Sequence, residues 1–434
     1  MRLELANFPV KDARFGKQTS YKSGVLEVDK EELLALVLSD KKIASADLDV
    51  AFPGEQTRIV RIRDIVEPRV KVSGTGSVFP GILGPPATVG DGKTHRLSGV
   101  TVTVSADYKY QPGLGSGGQN SGIVDMWGPG ARLAPFGNII NIVLVLKLIN
   151  GVTELDAHTA IQLAQCRVAQ RLAETTKQMT PEEVEVFELS DVDPSLPRVV
   201  YDLTFSTTWH EPVMAVLYYG LPIRESLATF IHPNEILDGA LTVDARRGNG
   251  EVPRTWEWMN NPVILGLLRE HGKRLNFLGV ILQRTRFEVE RCKQIGVECA
   301  SQIARLLRAD GVIITKTSPS GNNSMDLMFM VQACEKKGVK TVFITPEYGG
   351  ADGIEPALWF YAPEADAVIS TSSLDRGHKL PAPTKVIGCE KGELVEPYPA
   401  ELISPWSELD VERMTLISGG IDYLGLMPHT CKLS

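Results

Sequence analysis

From Leu275 to Thr345 the chain alternates short β-branched runs with longer amphipathic ones, and this pattern restricts the fold more than any other feature. Leu275 to Leu282, Gly311 to Thr315 and Lys340 to Thr345 are apolar on both faces and read as strands. Phe287 to Leu307 and Met325 to Lys336 read as helices. A strand with no polar face must be covered on both sides, and a strand–helix–strand order returns each strand in the same direction. The pattern therefore predicts a doubly wound, mostly parallel sheet. Ala367 to Ser370 and Val386 to Gly388 are candidates for further strands.

The preceding half reads differently. Up to about Tyr110 it is β-rich, with Arg58 to Val66 and Val100 to Val104 as examples between Gly/Pro clusters. Ile139 to Leu148 reads as a buried strand, and Glu154 to Gln178 as a long amphipathic helix with Thr153 as its N-cap. Val199 to Phe205 and Val213 to Tyr219 read as strands. The expected fold class is α/β, a β-rich N-terminal half (1–255) followed by a doubly wound C-terminal half (256–434). At 434 residues with 43% apolar and 23% charged side chains, a sizeable core is expected. A net charge of −8 argues against nucleic acid or an anionic membrane as partner. The longest apolar run, Ile139 to Ile149, is broken by Asn141 and Lys147 and falls short of the ~20 residues that span a bilayer. The opening MRLELANFPVKDARFG has no apolar signal core, so a cytoplasmic location is expected. Six irregularly spaced cysteines make no disulfide framework. Cys292 and Cys299, seven apart, read as core positions on one helix face.

Four constellations could carry chemistry. Gly113-x-Gly115-x-x-Gly118 has dinucleotide spacing, but Gly128, Pro129 and Gly130 follow where a helix should open, so a loop over a pocket is the better reading. His210-Glu211 and His232-Pro-Asn-Glu235 each place imidazole beside carboxylate after a predicted strand. His210, His232 and Glu235 are candidate acid–base groups, and His210, Glu211 and His232 candidate ligands for a divalent metal. The plainer reading is structural, with Asn234 and Glu235 starting a helix. Third, Ser318 to Asp326 joins a strand to a helix at the sheet's carboxyl rim, where ligands bind and free N–H groups attract anions. Lys316, Ser320, Asn322, Asn323 and Glu347 are the candidate substrate-binding residues there, against an ordinary cap at Ser324. Fourth, Trp256 and Trp258 flank Glu257 in an irregular stretch. Aromatic faces beside a carboxylate suit a quaternary ammonium, although tryptophans also pack at interfaces.

Several separated stretches carry a family resemblance: the opening residues, GVLEVDKEELLAL, ADLDVAFPGEQTRIVRIRDIVEPRVKV, HPNEILDGA, NNPVILGLLREHGK and SGGIDYLGLM. Together they resemble the alpha/beta proprotein of glycine/sarcosine/betaine reductase component B, over essentially the whole chain. The resemblance implies internal cleavage after His232, with a cysteine at the new N-terminus becoming a pyruvoyl group that forms an imine with the substrate amine. It further implies a thiol- or selenol-bearing subunit that attacks the α-carbon and displaces nitrogen. This chain departs from the pattern. No cysteine lies between Cys166 and Cys292, and the only serine between Leu221 and Pro262 is Ser226. The expectation is an uncleaved subunit without pyruvoyl, working in an oligomeric complex on a small amino-acid-derived or betaine-like substrate. The rival readings are a metal- or acid–base-assisted lyase or hydrolase, and a non-catalytic scaffold subunit.

Overall fold

A computed structural model describes residues 1–107, 122–207, 216–223, 226–244, 250–286, 289–318, 321–350, 352–388, 394–395, 402–412 and 414–427. The glycine loop, His210, Glu211 and Ser320 lie outside these residues.

The apolar runs of the C-terminal half form a six-stranded sheet. Its order is Ala228–Ile231, Asn276–Arg286, Arg198–Thr207, Gly311–Thr315, Lys340–Glu347 and Val368–Ser373. Every neighbouring pair is parallel except the first, in which the Ala228–Ile231 edge strand runs antiparallel. Helices Glu290–Leu306 and Gly321–Lys336 pack together on one face. The first buries Lys293, Gly296, Val297, Ala300 and Ala304. Cys292 is exposed and Cys299 only half-buried, correcting their reading as core positions. The buried stripe lies one residue further round the helix, and small residues there let it approach the sheet. Gly321–Lys336 also begins earlier than Met325, so Ser324 lies inside the helix rather than capping it. Gly and Asn are weak helix formers, and contacts at the rim override that preference here.

The β-rich half contributes two larger sheets. One orders Glu183–Glu188, Arg2–Pro9, Gly92–Ser98 and Arg69–Ser73. The other orders Gly122–Asp125, Thr57–Val66, Val100–Asp107, Ile140–Leu148 and Ile43–Ala51, with Lys385–Ile387 added alongside Thr57–Val66. Helix Glu154–Glu174 covers this second sheet. The Thr153 hydroxyl accepts from the Asp156 N–H at 3.1 Å, as an N-cap should. Five of its twelve buried residues are alanine (157, 160, 164, 169, 173), so helix and sheet sit close.

The other face of that sheet meets the parallel sheet. Ile59, Ile62 and Val143 share one cluster with Tyr201, Leu203, Phe205, Val280 and Leu282. Strands from both sides of residue 255 build the parallel sheet, and Lys385–Ile387 pairs back into the N-terminal half. Arg58 reinforces the return. It makes a buried two-point contact with Asp125 at 2.6 and 2.9 Å and donates to the carbonyls of Pro381, Pro405 and Ser407. Among the described residues no helix is long and apolar enough to cross a membrane.

Candidate functional site

The carboxyl ends of parallel strands gather side chains from several loops at one rim. Lys316 follows Gly311–Thr315, and Tyr348 follows Lys340–Glu347. The Lys316 ammonium group lies 3.0 Å from the Tyr348 hydroxyl and 4.8 Å from the ring centroid. Lys316 is 2% exposed. Burial pushes the amine down to about 7. The Tyr348 ring stacks on Trp359, centroids 4.6 Å apart. Trp359 in turn lies across the start of helix Gly321–Lys336, where a Cβ on Gly321 would come within 1.9 Å of its ring. Two residues on, Asn323 donates to the hydroxyls of Ser206, at 2.7 Å, and Ser318, at 3.3 Å. The side-chain oxygens of Asn322 and Asn323 are buried with no hydrogen-bond partner among the described residues. Glu347 is half-buried at its strand's last position, beside Tyr348.

The rim therefore brings together Lys316, Asn322, Asn323 and Glu347 from the sequence candidates. It adds Trp359 and Ser206, which sequence reasoning missed. Ser206 was legible as the end of a strand, but nothing local indicated which loop it would meet. Trp359 lies in the irregular stretch after Glu347, where no periodicity points to a position.

The other candidates are placed differently. His232 is the N-cap of helix Pro233–Leu237, its Nδ1 accepting from the Asn234 N–H at 3.2 Å. Burial, and secondarily the N-terminal ammonium, push the imidazole down to about 4. The Glu235 carboxylate accepts from the His232 N–H, at 3.1 Å, and from the hydroxyls of Tyr218 and Tyr219, at 2.7 and 2.8 Å. That is a capping box extended by two tyrosines. Among the described residues no group of three or more His, Cys, Asp or Glu is placed to hold a metal. Trp258 is fully buried in the shared core, its indole N–H unpartnered. Trp256 is half-buried and meets Phe136 edge-on at 5.6 Å. Between them, Glu257 accepts from the Arg254 N–H at 2.6 Å, and burial pushes its carboxyl up to about 8.

The family of glycine/sarcosine/betaine reductase component B subunits matches residues 1–397. Component B subunits alpha and beta of the glycine reductase complex of Acetoanaerobium sticklandii are 34% identical over 404 residues, 91% of each chain. The sarcosine reductase complex component B subunit alpha of Peptoclostridium acidaminophilum is 35% identical, covering 89% of each chain. The betaine reductase complex component B subunit alpha of the same organism is 33% identical, covering 89% of this chain and 88% of its own. No solved structure matches the chain.

Proposed function

The chain belongs to the family of glycine/sarcosine/betaine reductase component B subunits, and from that premise we propose that it binds a small amino-acid-derived or betaine-like substrate without a pyruvoyl group. A separate thiol- or selenol-bearing subunit then displaces the nitrogen. One observation carries the pyruvoyl part. From Leu227 to Asn261 there is no cysteine and no serine, so the stretch holds no precursor for that carbonyl. The residues there do not fit the group. A quaternary ammonium cannot form an imine in any case. Attack of a thiolate or selenolate on the α-carbon sends the C–N electron pair to nitrogen, and a neutral tertiary amine leaves.

Binding is assigned to the carboxyl rim. The substrate carboxylate meets Lys316, whose buried amine takes up a proton as the anion arrives, and the N–H groups that open helix Gly321–Lys336. The alkylammonium lies on Trp359, which is 62% exposed and braced by Tyr348. The hydrogen bonds around His232 and Glu235 favour a capping role for both over lyase or hydrolase chemistry.

Two measurements test this. Intact-mass spectrometry should show one uncleaved chain with no carbonyl reactive to hydrazine. Amine release from glycine, sarcosine and betaine should require the thiol-bearing subunit, with Lys316→Met raising KM at least tenfold. Two fragments bearing a reactive carbonyl would overturn the pyruvoyl part. Full turnover by the chain alone would overturn the partner.

A further inference from the structure

Side chains alternate faces along a strand. In Arg198–Thr207, Tyr201, Leu203 and Phe205 join the cluster shared with the β-rich half, whereas Val200 joins the cluster beneath helices Glu290–Leu306 and Gly321–Lys336. Asp202 and Thr204 therefore face those helices, as does Ser206, which Asn323 reaches from the second helix. On the neighbouring strand Asn276–Arg286, Ile281 belongs to the helix-side cluster and Leu282 to the other, so Gln283 faces the helices too. The register sets Gln283 beside Thr204 and diagonally from Asp202. All three are buried, Asp202 and Gln283 with no exposed surface.

The Thr204 hydroxyl donates to the Thr315 carbonyl at 2.6 Å, so its proton is used while its oxygen can still accept. Both carboxyl oxygens of Asp202 and both polar atoms of the Gln283 amide are buried with no hydrogen-bond partner among the described residues. Diagonal neighbours on one sheet face are within reach of each other's longer side chains. These two nevertheless make no direct bond, which suits a third group held by both. Polar atoms buried in this way are rare and call for such an explanation.

The surrounding layer is largely apolar, with Val297, Ala300, Leu327 and Met330 in the same cluster. The ionisable groups that the two helices bury are Lys293, Asp326 and Cys334, and Lys293 pairs with Asp326 at 2.5 Å. A carboxylate in such a layer is costly unless a cation meets it. One monovalent ion balances one carboxylate. Magnesium and calcium take more oxygen ligands and often several carboxylates or waters, and no group of three or more His, Cys, Asp or Glu among the described residues is placed to hold one. From the shared face, the register and the orphaned oxygens, we propose that Asp202, Gln283 and Thr204 bind a sodium or potassium ion between the sheet and its helices. The two carboxylate oxygens, the amide oxygen and the hydroxyl oxygen replace part of its hydration shell. The site is distinct from the Lys316 rim, and no covalent bond is made or broken.

Urea unfolding of the full chain in potassium, sodium and choline chloride at equal ionic strength tests this, since choline is too large to enter the sheet–helix layer. The midpoint should be higher in one or both alkali salts, and which one identifies the ion. The folding equilibrium constant should rise by up to about tenfold for each tenfold increase in that cation. Asp202→Asn keeps the shape and removes the charge, and its midpoint should be the same in all three salts. Gln283→Met removes the amide oxygen at similar length. It should raise the half-saturating cation concentration about tenfold or more, which keeps the test open if Asp202→Asn does not fold. Lys316→Met should respond to the salts as the natural chain does. Equal midpoints in the three salts for the natural chain would mean a neutral, hydrated carboxyl and overturn the site. An alkali response retained by Asp202→Asn, or a half-saturating concentration unchanged in Gln283→Met, would overturn it as well. Turnover of the assembled reductase does not enter this test, so its outcome is separable from the proposed function.

Discussion

Lys316 couples binding to stability in a direction that can be measured. Its amine titrates near 7 in the folded chain and near ~10.4 when unfolded. Between those values the unfolded chain holds more protons, so this residue makes stability rise with pH across that window. Lys316→Met should stabilise the chain at pH 7 by roughly 1–3 kcal/mol, as apolar replacements of buried charges often do. The gain should shrink by pH 9, read from urea unfolding at both values. A gain unchanged at pH 9 would mean the amine is not the cause. The position was legible in sequence because residues ending parallel strands point at one rim. The pair His232 and Glu235 marks the limit of such reading. Their types suit catalysis, but sequence does not show that Tyr218 and Tyr219 will arrive to occupy the carboxylate.

Among elements, the most readable were those whose residues settle their environment locally. The strand Ile140–Leu148 and the helix after Thr153 declare themselves by apolar period and cap. Helix Gly321–Lys336 does not, since its first turn is Gly-Asn-Asn-Ser, a loop by propensity. That turn is ordered by what it meets, Ser206 below Asn323 and Trp359 across Gly321. Gly321→Ala tests the arrangement. The added Cβ collides with an indole that is largely exposed, so the ring can swing away at little energetic cost. Gly321 itself is buried, but the part that yields is the exposed ring, and alanine suits a helix better than glycine, so stability should change by no more than ~1 kcal/mol. The Tyr348–Trp359 stack should be lost, seen as a shift in tryptophan emission and a higher KM. Unchanged emission and KM would mean that the stack is not part of binding.

For the whole molecule, the decisive contacts join residues hundreds of positions apart, and no local pattern announces them. Strand Arg198–Thr207 sits in the middle of a sheet whose other parallel members follow residue 275, and one apolar cluster binds that sheet to the β-rich half. The chain also returns from Pro381 to Ser407 onto Arg58, whose guanidinium answers Asp125 and three carbonyls with no exposed surface. A division after residue 255 cuts through this shared core, so the two halves should not unfold separately. Urea unfolding followed by tryptophan emission and by far-ultraviolet circular dichroism should give coincident single transitions. Arg58→Ala should shift both together by about 3–5 kcal/mol, because it leaves Asp125 buried and uncompensated as well as freeing the returning segment. Two separated transitions in the natural chain would show that the halves hold independently. A shift confined to one probe in the variant would show that Arg58 secures only the returning segment, and not the core that carries both halves.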